Sequence, residues 1–111
     1  MRCLALDASA FIHGRDLRIF ADAILYTAGE VVEELRDPRA QAVLDILKVE
    51  VVEASGEKVR ELIRRFGLTR ADAAVLAVAL ERGCTLVTDD GRLASVAKRL
   101  GVGVERIFYR K

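Results

Sequence analysis

Four carboxylates, Asp7, Glu34, Asp72 and Asp90, are the residues of this chain best placed to do chemistry. Asp7 ends an apolar run, Cys3-Leu4-Ala5-Leu6, and Asp90 follows a second, Thr85-Leu86-Val87-Thr88-Asp89. In an open α/β sheet, ligands bind beyond the carboxyl ends of the strands, where strand order reverses. Two anions about 4 Å apart repel by several kcal/mol at a surface-like dielectric. Carboxylates gathered at such an edge therefore hold raised, coupled pKa values or recruit a cation. Hard oxygen donors of this kind suit Mg²⁺ or Mn²⁺. The chemistry implied is hydrolysis of a phosphodiester by water, with no covalent intermediate. No Ser-His-Asp or Cys-His arrangement competes, because the single histidine, His13, falls beside Gly14 in what reads as a loop. Its two readings are a solvated loop residue and an RNA or phosphate contact.

The elements that must position these groups alternate between short β-rich runs and helical stretches, which predicts βαβ units and a parallel sheet. Strands are expected at 2–6, 24–27, 49–53, 84–88 and 105–109. Residues 28–36 repeat Ala28, Val31, Val32 and Leu35 at helical spacing, with Thr27 and Glu30 suggesting a capping box. Asp37-Pro38 ends that helix and opens another, whose expected buried stripe is Ala42, Val43, Ile46 and Leu47. Residues 57–66 are amphipathic and stop at Gly67; Thr69 then opens 70–82, apolar nearly all round and so expected to be the most buried helix. A last helix runs from Gly91 to Leu100 and closes at Gly101. Right-handed crossovers favour the strand order 3-2-1-4-5, which sets strands 1 and 4 side by side at the switch point with Asp7 and Asp90 at their ends.

Composition narrows the classes. The 111 residues fit one domain, 1–111, with 52% apolar residues for a core and one proline. The net charge of +1 gives no global basic field, so any nucleic-acid contact must come from local arginine clusters. No apolar run approaches the ~20 residues that span a bilayer, and the N-terminus lacks a signal-peptide layout. A cytoplasmic protein is expected. Cys3 and Cys84 fall in two strand runs and are read as buried free thiols, with a disulfide as the alternative. A chain without Asn and rich in Arg, Glu and Asp has the bias of a heat-adapted protein.

Each acid has a structural reading when taken alone. Asp7 and Ser9 can cap the next helix, Glu34 can be a solvated helix residue, Asp72 can complete a capping box with Thr69, and Asp90-Gly91 can be a turn. Four such placements along one rim, with Asp72 in the first turn of the most apolar helix, point beyond capping.

The residues also carry a family resemblance. Asp7-Ala8-Ser9, Glu34-Leu35, Thr69-Arg70-Ala71-Asp72 and Thr88-Asp89-Asp90 resemble the four motifs of PIN-domain nucleases, across essentially the whole chain. Within that family, Phe11-Ile12-His13-Gly14, Tyr26-Thr27 and Glu30 to Asp37 are similar to the PIN domain of the endonuclease that matures the 3′ end of small-subunit ribosomal RNA. The resemblance implies a three-layer α/β/α fold and cleavage of single-stranded RNA with Mg²⁺ or Mn²⁺. It makes Asp7, Glu34, Asp72 and Asp90 the metal ligands, direct or through water, with Ser9 and Thr88 orienting them. Asp89 can substitute for or assist Asp90, and the family pattern Thr-x-Asp favours Asp90. The rRNA-maturing enzymes carry a C-terminal zinc ribbon for which this chain has no suitable cysteines. It therefore reads as an excised domain or a free-standing paralogue.

With six aromatics, RNA is expected to be held through phosphate contacts rather than stacking. The candidates are Arg70 and Arg92 first, then Arg15, Arg18, Arg36, Arg39 and His13; the alternative for each arginine is a solvated or ion-paired surface residue. A precursor rRNA is the expected substrate, and a homodimer is left open. Two other functions compete: a VapC-type toxin ribonuclease with an antitoxin partner, and a non-catalytic PIN-like scaffold that binds RNA or protein. The scaffold has no reason to keep four mutually repelling acids.

Overall fold

The computed structural model describes residues 2–13, 20 and 22–107. Its elements run β1 (Cys3–Leu6), α1 (Ala8–His13), β2 (Ile24–Ala28), α2 (Gly29–Glu34), α3 (Pro38–Ile46), β3 (Glu50–Val52), α4 (Gly56–Phe66), α5 (Arg70–Arg82), β4 (Thr85–Val87), α6 (Gly91–Arg99) and β5 (Val104–Glu105). The five strands form one all-parallel sheet in the order β3-β2-β1-β4-β5, as expected. Successive residues of a strand face opposite sides. Leu4, Ala5 and Leu6 are all essentially inaccessible, so both faces of β1 are covered, which is how parallel sheets exist.

Helix α5 packs across β1, β2 and β4 and is flanked by α4 and α2. It buries Ala71 and every residue from Ala73 to Ala79, confirming it as the core helix. Small alanines let it lie close on the sheet. Thr69 caps its start, accepting from the Asp72 N–H at 3.2 Å, and Gly83 closes it at φ 66°. That left-handed turn is the conformation in which glycine has no Cβ penalty.

Several expectations need correction. Thr27 does not cap α2, whose N-cap is Ala28 without a side-chain bond. It belongs to β2, where its Oγ1 donates to the Leu6 carbonyl at 2.7 Å, so a buried hydroxyl fastens β2 to the end of β1. The buried face of α3 is Ala40, with Val43, Leu44 and Leu47 packed against the core, whereas Ala42 is exposed and Ile46 is 72% exposed. Asp37 caps α3 with Pro38 in its first turn, as expected, and packing against the core selects the buried face. Cys3 and Cys84 are not free thiols but a disulfide, with Cα atoms 5.0 Å apart. The pairing of Leu4 with Thr85 sets the two cysteines side by side on neighbouring strands. His13 closes α1 rather than lying in a loop. The fifth strand is shorter and earlier than expected, and residues 108–109 of that expectation lie outside the described residues. So do Arg15, Arg18 and the side chain of His13.

Candidate active site

The carboxyl ends of β1 and β4 lie side by side, and the turns that follow them are stitched together through Asp7. Its Oδ1 accepts from the Ser9 N–H at 2.9 Å, the Ser9 hydroxyl at 2.6 Å and the Ala10 N–H at 3.3 Å. Its Oδ2 accepts from the Thr88 hydroxyl. Each hydroxyl in turn accepts a backbone N–H from the 89–90 turn: Asp89 N–H to Ser9 Oγ at 2.9 Å, and Asp90 N–H to Thr88 Oγ1 at 3.0 Å. Ser9 and Thr88 thus relay the position of that turn to the Asp7 carboxylate. Asp7 is only 4% exposed. Burial pushes its carboxyl up, while the bonds from Ser9, Thr88 and Ala10 pull the other way.

Asp90 is the N-cap of α6, its Oδ1 accepting from the Arg92 N–H at 2.9 Å and the Leu93 N–H at 3.1 Å. Its Oδ2 accepts no hydrogen bond among the described residues. Capping and ligand binding are therefore compatible in one side chain: one oxygen anchors it and the other stays open.

Asp72, in the first turn of α5, is pushed up to about 6. The largest cause is partial burial, followed by the charges of Asp90 and Asp7; the Thr69 hydroxyl pulls it back, and Glu34 adds a smaller push. Glu34 itself is the exposed last residue of α2. All four acids therefore act on one electrostatic neighbourhood, although they come from four segments.

Asp89 faces elsewhere. Its Oδ1 accepts from the Ile107 N–H at 2.9 Å and lies 3.8 Å from Arg106 Nε. It ties the β4–α6 turn to the segment after β5. Arg92 reaches back to the C-terminus of α4, donating to the Phe66 carbonyl at 2.8 Å. Arg70 lines a cleft of about 250 Å³ with Glu30, Glu53 and Arg60. Arg36 is exposed beyond α2, and Arg39 forms an exposed pair with Asp37 at 3.1 Å. Thr27 is the positioning residue that sequence reasoning missed. A threonine next to the last residue of a strand run, just before a helix, was the available signal.

The donor set fits a divalent cation. Among the described residues, Asp7, Glu34, Asp72 and Asp90 form no ion pair, so hydrogen bonds alone offset their mutual repulsion. No three of the described His, Cys, Asp or Glu side chains are drawn close enough to form a ready-made ligand cluster. Among the described residues, no helix is long and apolar enough to cross a membrane.

Residues 4–81 match a family described as the PIN domain of ribonuclease. The chain is 35% identical to the endoribonuclease Nob1 of Methanocaldococcus jannaschii, aligning over 98% of its own length and 58% of that protein. It is 38% identical to the ribonuclease VapC3 of Aeropyrum pernix, over 96% of its own length and 87% of that protein. The Nob1 of Pyrococcus abyssi is 36% identical, with 89% of this chain and 65% of that protein aligned. The chain thus spans less than two thirds of the length of these Nob1 relatives. Among solved structures, a Pyrobaculum aerophilum protein superposes with a TM-score of 0.69 at 22% identity, covering 96% of this chain and 90% of its own. VapBC2 of Rickettsia felis superposes at 0.64 with 18% identity, covering 94% of this chain and 98% of its own. At those identities the likeness is one of fold.

Proposed function

The chain belongs to the PIN-domain family of ribonucleases, and on that footing we propose that it is an endoribonuclease that cleaves single-stranded RNA with Mg²⁺ or Mn²⁺. The observation that carries the reading is the meeting of four carboxylates from four segments at one edge, where burial first, and then the charges of Asp90, Asp7 and Glu34, raise Asp72, an arrangement that a cation completes. Asp7, Asp72, Asp90 and Glu34 would hold the ion, directly or through its waters. When bound, the ion supplies positive charge against the phosphate and makes a water more acidic. Asp7 is held in place by Ser9 and Thr88, so its carboxylate would meet the ion without reorganising. With no ion bound, burial and the neighbouring charges raise Asp72 to about 6. A cation held there would offset those charges, and Asp72 would then serve to orient the ion and its waters.

The finer reading is RNA processing of the kind that matures ribosomal RNA, supported by similarity to two Nob1 endoribonucleases. A VapC-like ribonuclease is the second reading, and the alignment along 87% of VapC3 favours it. Incubation of single-stranded RNA with Mn²⁺, Mg²⁺ or EDTA, for wild type and Asp7→Asn, tests the class. Cleavage is expected only with metal and only in wild type. Equal cleavage by Asp7→Asn, or cleavage in EDTA, refutes the assignment. Recovery of a small co-expressed protein bound to the chain separates the VapC-like reading from the rRNA one.

A further inference from the structure

Three arginines from two helices converge on Phe66, at the C-terminus of α4. The Arg65 guanidinium carbon lies 4.8 Å from the centre of the Phe66 ring, and that of Arg99 lies 5.6 Å from it. Arg92 donates to the Phe66 carbonyl at 2.8 Å. The Arg92 guanidinium also lies 3.1 Å from where a Cβ on Gly67 would stand, so it packs closely over this left-handed turn at φ 67°. Of the three, only Arg65 pairs with a carboxylate, Glu61 at 3.5 Å, and Glu61 is shared with Lys58. Arg92 and Arg99 have no acidic partner among the described residues.

Gathering like charges costs energy, and here a ring face and a helix-end carbonyl offset it only in part. All three arginines remain exposed beside these contacts, which leaves most of their donors accessible to a ligand. The patch begins at the site itself. Arg92 is two residues from Asp90, and Arg99 lies seven residues further along α6, about 10 Å along the helix axis. With its ring lying against guanidiniums, Phe66 acts as a scaffold for cations rather than as a stacking platform for bases.

We propose that Arg65, Arg92 and Arg99 form a phosphate track that holds the backbone of single-stranded RNA on the α6 side of the carboxylate edge, independently of base sequence. The proposal rests on the nuclease reading for the identity of its ligand, but it concerns binding and not cleavage. It also assigns a direction: one flank of the scissile phosphate is gripped by the track.

The test is binding of fluorescent 12-nucleotide oligo(U) and oligo(A) in EDTA, by anisotropy, between 50 and 200 mM salt. Wild type is compared with Arg65→Ala/Arg99→Ala and with Arg65→Lys/Arg99→Lys. Each phosphate contact on a single strand contributes a slope of about −0.7 in log K against log salt. Loss of two contacts therefore flattens the slope by about 1.4, so wild type loses about sevenfold more affinity over that range than the alanine variant. The lysine variant should keep most of the slope, and both oligomers should behave alike. Where metal-dependent cleavage is measured, the alanine variant should raise KM far more than it lowers kcat. An unchanged slope with a lowered Tm overturns the track and leaves the three arginines as a device that stabilises the fold. A strong preference for one oligomer overturns sequence independence. Cleavage without any effect of the alanine variant defeats the track alone, whereas salt-dependent binding without cleavage defeats the nuclease reading alone. Absence of RNA binding by wild type defeats the track.

Discussion

Replacing Asp72 by Asn should make the metal-free protein more stable at neutral pH, an unusual outcome for a residue so close to a core helix. The carboxyl is moved from its ordinary 3.8 to about 6 by burial and by the charges of Asp90, Asp7 and Glu34. At full strength that displacement corresponds to about 3 kcal/mol. The side chain is only partly buried, so solvent screening reduces it to about 1–2 kcal/mol. The sign follows from linkage: a carboxyl whose pKa is raised on folding holds its proton longer in the folded state. Below pH ~4 both states are protonated and nothing is lost. Between about 4 and 6 the unfolded chain has released a proton that the folded one retains, so stability falls as pH rises. Above 6 the whole penalty is present. The neutral amide of the Asp72→Asn variant escapes it while keeping the N–H that Thr69 caps. Thermal melts in EDTA should therefore show Asp72→Asn about 4–8 °C above wild type at pH 7.5 and level with it at pH 3.5. If the variant melts below wild type by the same amount at both pH values, the carboxylate was a structural cap and the repulsion argument fails.

Other outcomes follow from the same geometry. Mn²⁺ at about 100 times its Kd should stabilise wild type by about 2.7 kcal/mol in a melt, with the gain sharply reduced in Asp7→Asn. Thr27→Val leaves the Leu6 carbonyl without its hydroxyl partner and should cost about 1–3 kcal/mol in urea unfolding, whereas Thr27→Ser should recover part of it. Reducing the Cys3–Cys84 bridge, which closes a separation of 81 residues, should lower unfolding stability by up to about 4 kcal/mol; an unchanged midpoint in reductant would show the bridge contributes nothing.

The sheet order and the position of the core helix were legible because they follow from strong patterns. Five apolar runs separated by amphipathic stretches leave few right-handed arrangements, and α5 is apolar on nearly every side. Gly67 ended its helix where the sequence placed it, since left-handed turns favour glycine. What escaped depended on phase and partner rather than on type. Thr27 has the local look of a cap as well as of a strand residue, but β2 runs one residue past it and Ala28 takes the N-cap position. In α3 the apolar spacing gives the period but not the face, and packing turns Ala40, Val43, Leu44 and Leu47 to the core while Ile46 stays exposed. The disulfide was weighed by expected compartment, although strand pairing decides whether two sulfurs meet. At the carboxylate edge, residue types were readable, but the crossed bonds that join Thr88 to Asp7 and Asp89 to Ser9 link positions about 80 apart and need the fold. Arg65 and Arg99 were hidden for the same reason.

The most direct test of the account is paramagnetic broadening of backbone amide signals by Mn²⁺, titrated into uniformly labelled protein. Signals around Asp7, Glu34, Asp72 and Asp90 should fade together at low Mn²⁺, while those lining the acidic groove of Glu57, Glu61 and Glu81 persist. Fading that begins at the groove, or spreads evenly over surface carboxylates, would contradict a single ion site built from these four residues.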